Sequence, residues 1–143
     1  MRRPFRFLEH TSDAFIEAYG ENLEEAFENA ALAMFEVMTD TKTVDTKIRE
    51  HVEAQGEDEY ALLYEWLQLL LVKLEVEDKL YSRFNVESIV RKPEGYTLRA
   101  SIEGEEYNPE KHPTRSAVKG ITYHEMAISE RKGSAKVRVL LDI

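Results

Sequence analysis

The 143-residue chain contains no cysteine. Disulfides, thiolate metal sites, iron–sulfur clusters and cysteine nucleophiles are therefore excluded. Glycine and proline are scarce, at six and four residues, and low-complexity or linker-like stretches are missing. Basic residues are also in short supply: 19 Lys and Arg stand against 28 Asp and Glu, a net charge of −9. Such a field repels phosphate overall, so no stable direct nucleic-acid binding is expected. Long apolar runs are absent too. The most apolar window, LLYEWLQLLLVKL, is interrupted by Glu65, Gln68 and Lys73 and is too short to span a bilayer. Behind the N-terminal MRRPFRF no apolar signal-peptide core follows. No membrane association and a soluble, cytoplasmic protein are expected. HExxH, CxxC, GxGxxG, Walker and GxSxG elements are all missing, which removes the familiar nucleotide-binding and hydrolase signatures.

What is present fits one domain over residues 1–143, long enough to bury a core without staples. A charged fraction of 33% fits an ion-paired surface of the kind thermophilic proteins carry. Phe5 and Phe7, then Ala14, Ile16 and Ala18, alternate as two short strands around the polar turn His10-Thr11-Ser12-Asp13. Asn22 and Glu25 form a capping box, and the apolar positions from Leu23 to Met38 follow one helical face. A strand over Thr43–Ala54 is expected next. A second helix near Glu59 to Glu75 begins with acidic residues at its positive end. Tyr60, Leu63, Tyr64, Leu67, Leu70, Leu71 and Leu74 share one of its faces. Phe84–Val90 and Tyr96–Ile102 read as a hairpin turning at Lys92-Pro93-Glu94-Gly95. An acidic loop, EGEEYNPEKHP, follows, and strands near Ile121–Glu130 and Lys136–Asp142 close the chain. No internal repeat is evident. Two helices and about seven strands, joined by hairpins, predict an α+β two-layer domain: a mostly antiparallel or mixed sheet covered by two long helices.

Chemistry-bearing residues are few. In the terminal strand Asp142 shares a face with Arg138 and Leu140 and lies one residue before Ile143. Taken alone it is a solvated chain end. Should that strand pair with the first, Asp13, Asp142 and the Ile143 carboxylate would converge, and three like charges require a cation or a proton. Oxygen-only ligands suit Ca²⁺, Mg²⁺ or Mn²⁺ better than zinc. In SAVKGITYHEMA strict alternation points Lys119 and His124 to opposite faces, and a bulge at Gly120 would bring them together. The alternative is a surface lysine and a partly buried, hydrogen-bonded histidine. His10 is expected to orient the polar turn, while His51 and His112 read as exposed residues. A Ser12–His10 or Ser12–His124 nucleophile pair lacks any supporting elbow or oxyanion loop.

Taken in order, EHTSDAFIEAYG, NLEEAFENAALAMFEVMTD, KGITYH and the terminal LLDI resemble the archease family, essentially from end to end. The resemblance implies a non-enzymatic protein cofactor of the RtcB-type tRNA-splicing RNA ligase, one that promotes ligase guanylylation and multiple turnover. It also implies a metal site of Asp13, Asp142 and the Ile143 carboxylate, with Ca²⁺ as the first candidate and Mg²⁺ or Mn²⁺ behind it. Lys119 becomes an activity-supporting residue, with His124 as a second candidate, in a monomer or weak homo-oligomer. Two other functions stay open: a general chaperone or modulator of RNA-processing enzymes, and a metal-dependent hydrolase using Asp13 and Asp142. The hydrolase lacks a general base and oxyanion donors.

Overall fold

In a computed structural model of the chain, residues 3–10 and 13–143 are described. Seven strands and two long helices follow in order: β1 (Phe5–Leu8), β2 (Ala14–Gly20), α1 (Leu23–Met38), β3 (Ile48–Gly56), α2 (Glu59–Glu77), β4 (Lys79–Lys92), β5 (Gly95–Glu106), β6 (Gly120–Arg131) and β7 (Ser134–Asp142). The α+β class is as expected, but the strands divide between two sheets. One has the order β1-β2-β7-β6 and the other β3-β5-β4, and all their pairings are antiparallel. Helix α1 packs on β2, β7 and β4, and α2 on β3 and β6, so each helix bridges the two sheets.

Local chemistry explains the element ends. Asn22 caps α1 by accepting from the Glu25 backbone N–H at 2.8 Å, and Glu25 returns a bond to the Glu21 N–H at 2.9 Å. Asp58 caps α2 in the same manner, accepting from Ala61 at 2.8 Å. Nine residues of α1 are buried, Phe27, Met34 and Phe35 among them. Helix α2 buries Leu62, Leu63, Trp66, Leu67, Leu70 and Leu71, and the Trp66 indole donates to the Phe27 carbonyl at 3.0 Å. Tyr60, expected on that face, is instead 41% exposed.

Strand boundaries and the burial of one histidine differ from the sequence reading. The third strand starts at Ile48 because Asp40 caps a short 3₁₀ turn, Thr41–Thr43, ahead of it. Strand β5 runs on to Glu106, into what reads as an acidic loop, and buries Glu105. His112 is not exposed but 1% accessible. Its Nδ1 accepts from the Asn108 N–H at 2.9 Å, so Nε2 holds the proton and donates to Glu105 at 2.8 Å.

The fold also contains a duplication that is faint in the sequence. β2-α1-β6-β7 and β3-α2-β4-β5 are each a strand, a helix and a hairpin, with the hairpin's second strand paired to the first strand. The second unit is inserted between α1 and β6 of the first. Ala18-Tyr19-Gly20-Glu21-Asn22 and Ala54-Gln55-Gly56-Glu57-Asp58 occupy equivalent strand-to-helix corners. There the strand end passes directly beneath the first helical turn. A Cβ on Gly20 would meet the Ala26 nitrogen at 2.5 Å, and one on Gly56 the Leu62 nitrogen at 2.4 Å. Backbone cannot give way as a flexible side chain can. Gly20→Ala and Gly56→Ala are each expected to cost about 2 kcal/mol by overpacking. Urea denaturation would measure this, and equal midpoints for variant and wild type would show that the corners are not tight.

Candidate functional site

Strand β2 pairs with β7 from Ala14 opposite Leu141 to Gly20 opposite Ala135. One step beyond that ladder, the same register sets Asp13 across from Asp142. On the other side of β7, Gly120 pairs with Asp142, and the Lys119 N–H donates to the Asp142 carbonyl at 2.7 Å. Asp13, Asp142 and Lys119 therefore meet at one end of the first sheet. Alternation places Asp13 with Phe15 and Glu17, and Asp142 with Leu140 and Arg138, on the face turned away from the helices. The segment that delivers Lys119 is tied to the end of α1. There the Arg115 and Ser116 N–H groups satisfy the otherwise free carbonyls of Met38 and Val37, both at 3.0 Å.

The ladder between β6 and β7 does not slip at Gly120, which is regularly paired. It breaks between Thr122 and Ala127, where Tyr123, His124, Glu125 and Met126 stand opposite a single residue of β7. Glu125 adopts a left-handed backbone there, with φ of 57°. Its carboxylate lies 3.2 Å from His10 Nε2 and 3.6 Å from His124 Nε2, while His10 Nδ1 is 3.6 Å from Asp13 Oδ2. His10 also stands edge-on to Phe15, with ring centroids 5.9 Å apart. His124 thus reaches the Asp13 end through Glu125 and His10, by way of the wider break. Tyr123, 53% exposed, stacks on Tyr64 of α2 at 4.7 Å. Ser12 lies outside the described residues, and with it both proposed serine–histidine pairs. His51 is exposed, as expected.

Among the described residues, neither the Asp13 nor the Asp142 carboxylate accepts a hydrogen bond, and the Lys119 ammonium has no ion-pair partner. His10 Nδ1 is buried and likewise without a hydrogen bond. Two solvent-accessible carboxylates on adjacent strands, on one face, are donors of the kind a hard divalent cation takes. Ile143 packs its side chain against the core beside them. No group of three or more acidic or histidine side chains suited to a metal occurs among the described residues. A cation held by Asp13 and Asp142 would thus need main-chain oxygen or water to complete its shell.

Two other carboxylates show the opposite treatment. Glu17, 2% accessible, receives Arg6 at 2.8 Å, Arg138 at 2.6 Å and the Tyr19 hydroxyl. Burial pushes its pKa up, but the hydrogen bonds from Tyr19, Arg138 and Arg6 prevail and hold it at about 2. Glu105 is also held at about 2: against the same burial stand Lys111, the Asp45 N–H and His112. Sequence reasoning missed both, because a glutamate in an alternating strand gives no sign of partners that lie far along the chain. Glu125 had no signal either, since only the broken ladder turns it toward His10.

Fold and site together define a small α+β domain with two aspartates facing each other where its first and last long strands meet. The sequence profile of the Archease protein family matches residues 5–143, and the chain belongs to that family. The protein archease of Sulfolobus acidocaldarius is 45% identical over 139 residues, spanning 97% of this chain and 98% of that one. The archease of Sulfurisphaera tokodaii is 50% identical over 130 residues, 91% of each. The solution structure of Methanobacterium thermoautotrophicum protein 1598 is 42% identical and superposes with a TM-score of 0.81, covering 98% of this chain and 99% of that one. The crystal structure of a Thermotoga maritima archease, described as a possible chaperone, shares the fold with a TM-score of 0.62 at 17% identity, over 100% and 98% of the two chains. No helix among the described residues is long and apolar enough to cross a membrane.

The carboxylate environments set a pH dependence. A glutamate with an ordinary value of 4.5, held at about 2 in the folded state, stabilises the fold fully above about pH 4.5. That contribution is lost as pH falls from there toward 2. Urea midpoints should therefore drop between pH 5 and pH 2.5, and the drop should be shallower in a Glu17→Gln, Glu105→Gln double variant. An unchanged slope in the double variant would remove both groups from the acid response.

Proposed function

We propose that this chain activates an RtcB-type tRNA-splicing RNA ligase, supporting ligase guanylylation and repeated turnover without catalysing ligation itself. The observation that carries this reading is the in-register meeting of Asp13 and Asp142 at an exposed sheet end, with Lys119 beside them, in a chain of the archease family. Asp13, Asp142 and the main-chain carboxylate of Ile143 would be the ligands of a divalent ion, Ca²⁺ first. When bound, the ion supplies a fixed positive charge among carboxylates, able to draw a partner's phosphate or carboxylate oxygens. The Lys119 ammonium stands beside that point, ready to pair with an anionic group of the docked ligase. A net charge of −9 suits a partner whose own nucleotide- and RNA-binding cleft is basic, because complementary fields speed and orient docking. The same charge makes the cytoplasmic chain a poor RNA ligase by itself.

The primary test is multiple-turnover ligation by the cognate ligase with and without this protein; no stimulation would sink the reading. Asp13→Ala and Asp142→Asn should keep the far-ultraviolet circular dichroism of the wild type. Each is expected to weaken Ca²⁺ binding by calorimetry about tenfold or more and to abolish stimulation, because affinity follows ligand charge count. An Asp13→Ala protein that is unfolded, or that stimulates normally, would show the site assignment to be wrong.

Lys119 separates docking from ion binding. Lys119→Ala is expected to lose stimulation while retaining the wild-type calorimetric Ca²⁺ isotherm. Lys119→Arg should recover only part of the activity, since a planar fork replaces a point charge. Lost Ca²⁺ binding in Lys119→Ala would contradict this division of roles.

A further inference from the structure

The opposite end of the same sheet face carries a groove of a different character. About 680 Å³ in volume, it is lined by Arg3, Arg6, Tyr19, Ser129, Arg131, Ser134, Ala135 and Lys136. Four of these are cationic and none is acidic, in a chain with an excess of nine negative charges. Register explains the gathering. Tyr19, Lys136 and Ser129 form one row across β2, β7 and β6, and Arg131 stands opposite Ser134 at the mouth of the hairpin. Arg6 belongs to the next row, opposite Glu17.

Glu21 and Glu25 line the adjoining cavity next to Arg3, outside the groove itself, and the two acids on the strands of the groove are already matched. Glu17 is shared by Arg6 and Arg138, so that row has two guanidinium groups for one carboxylate. Glu130, the neighbour of Arg131, is taken by Arg91 of β4 at 2.6 Å. Among the described residues Arg3, Arg131 and Lys136 have no ion-pair partner, and all three are exposed. Hydroxyl groups of Ser129 and Ser134 add donors between the charges, while the Tyr19 hydroxyl is committed to Glu17. Clustered cations, interleaved hydroxyls and a groove lining free of carboxylates are the elements of a phosphate site.

We propose that this groove binds phosphate groups, presented either by a free nucleotide or by the backbone of single-stranded RNA. It is separate from the Asp13–Asp142 end and does not depend on the ligase reading. The overall charge disfavours approach of a polyanion at long range. At physiological ionic strength, however, charges beyond about 8 Å are largely screened, so the local cluster decides the binding.

The test is fluorescence anisotropy of a labelled oligouridylate at about 50 mM salt, low enough to reveal a few phosphate interactions. An Arg131→Ala, Lys136→Ala double variant should bind about tenfold more weakly, with a salt slope shallower by about 1.4, or about 0.7 for each phosphate no longer neutralised. Arg83→Ala with Arg99→Ala removes equal charge from the second sheet and should leave binding at the wild-type value. Competition by a nucleoside triphosphate at millimolar concentration would assign the groove to small phosphates; failure to compete would assign it to RNA backbone. The proposal is overturned if the wild type shows no binding, if the two double variants lose affinity equally, or if a polyglutamate peptide displaces the RNA as well as unlabelled RNA does.

Discussion

The antiparallel pairing of β2 with β7 is the constraint from which the rest of this molecule follows. It joins residues more than a hundred positions apart in the chain and makes those two strands the centre of the first sheet. A pairing of such sequence separation carries a large loop-closure cost, which local propensity cannot offset. Burial offsets it: Ile16, Ala18, Val137, Val139 and Leu141 are all removed from water on the helix-facing side. On the other face Phe15 and Leu140 cover each other, and Arg138 reaches Glu17. A slip of one residue would turn every one of these side chains to the wrong face, so the register is strongly specified. The placement of Asp13 against Asp142 is a consequence of that register rather than of any attraction between them.

The duplicated strand-helix-hairpin unit explains why so long a closure is tolerated. The inserted unit can complete its own sheet, β3-β5-β4, from local connections, and α1 and α2 then bridge both sheets. Their joint core, with Trp66 donating to the carbonyl of Phe27, makes the halves interdependent. Close approach of strand to helix at Gly20 and Gly56 sets the angle at which each helix leaves its strand, and thereby which side chains reach the core.

Electrostatically the outer face of the first sheet is sorted from end to end. Asp13, Asp142 and Lys119 occupy one end, a buried and hydrogen-bonded Glu17 the middle, and cations without an ion-pair partner among the described residues the other. A buried carboxylate is tolerated only when hydrogen-bonded and paired, which Arg6, Arg138 and Tyr19 achieve. At Asp13 and Asp142, whose carboxylates accept no hydrogen bond among the described residues, the sheet end stays open to water. That contrast separates carboxylates that hold the fold from carboxylates available to a ligand.

Local physics made the helices legible from the sequence: the capped, periodic run from Asn22 to Met38 forms α1 with the expected ends, and the Pro93-Gly95 turn forms a hairpin. The motif residues Asp13, Lys119 and Asp142 were also visible, because they interrupt or end patterns that otherwise serve burial. What the sequence could not determine was everything resting on pairing between distant segments. The division into two sheets, the duplication, the burial of His112 against Glu105 and the bonds around Glu17 all depend on which strands become neighbours. The four-residue break that turns Glu125 toward His10 belongs to the same class, for Gly120 offered a false cue and Thr122–Ala127 none. Periodicity reports the environment of a residue relative to its own element; only the tertiary register decides which other residue stands across from it.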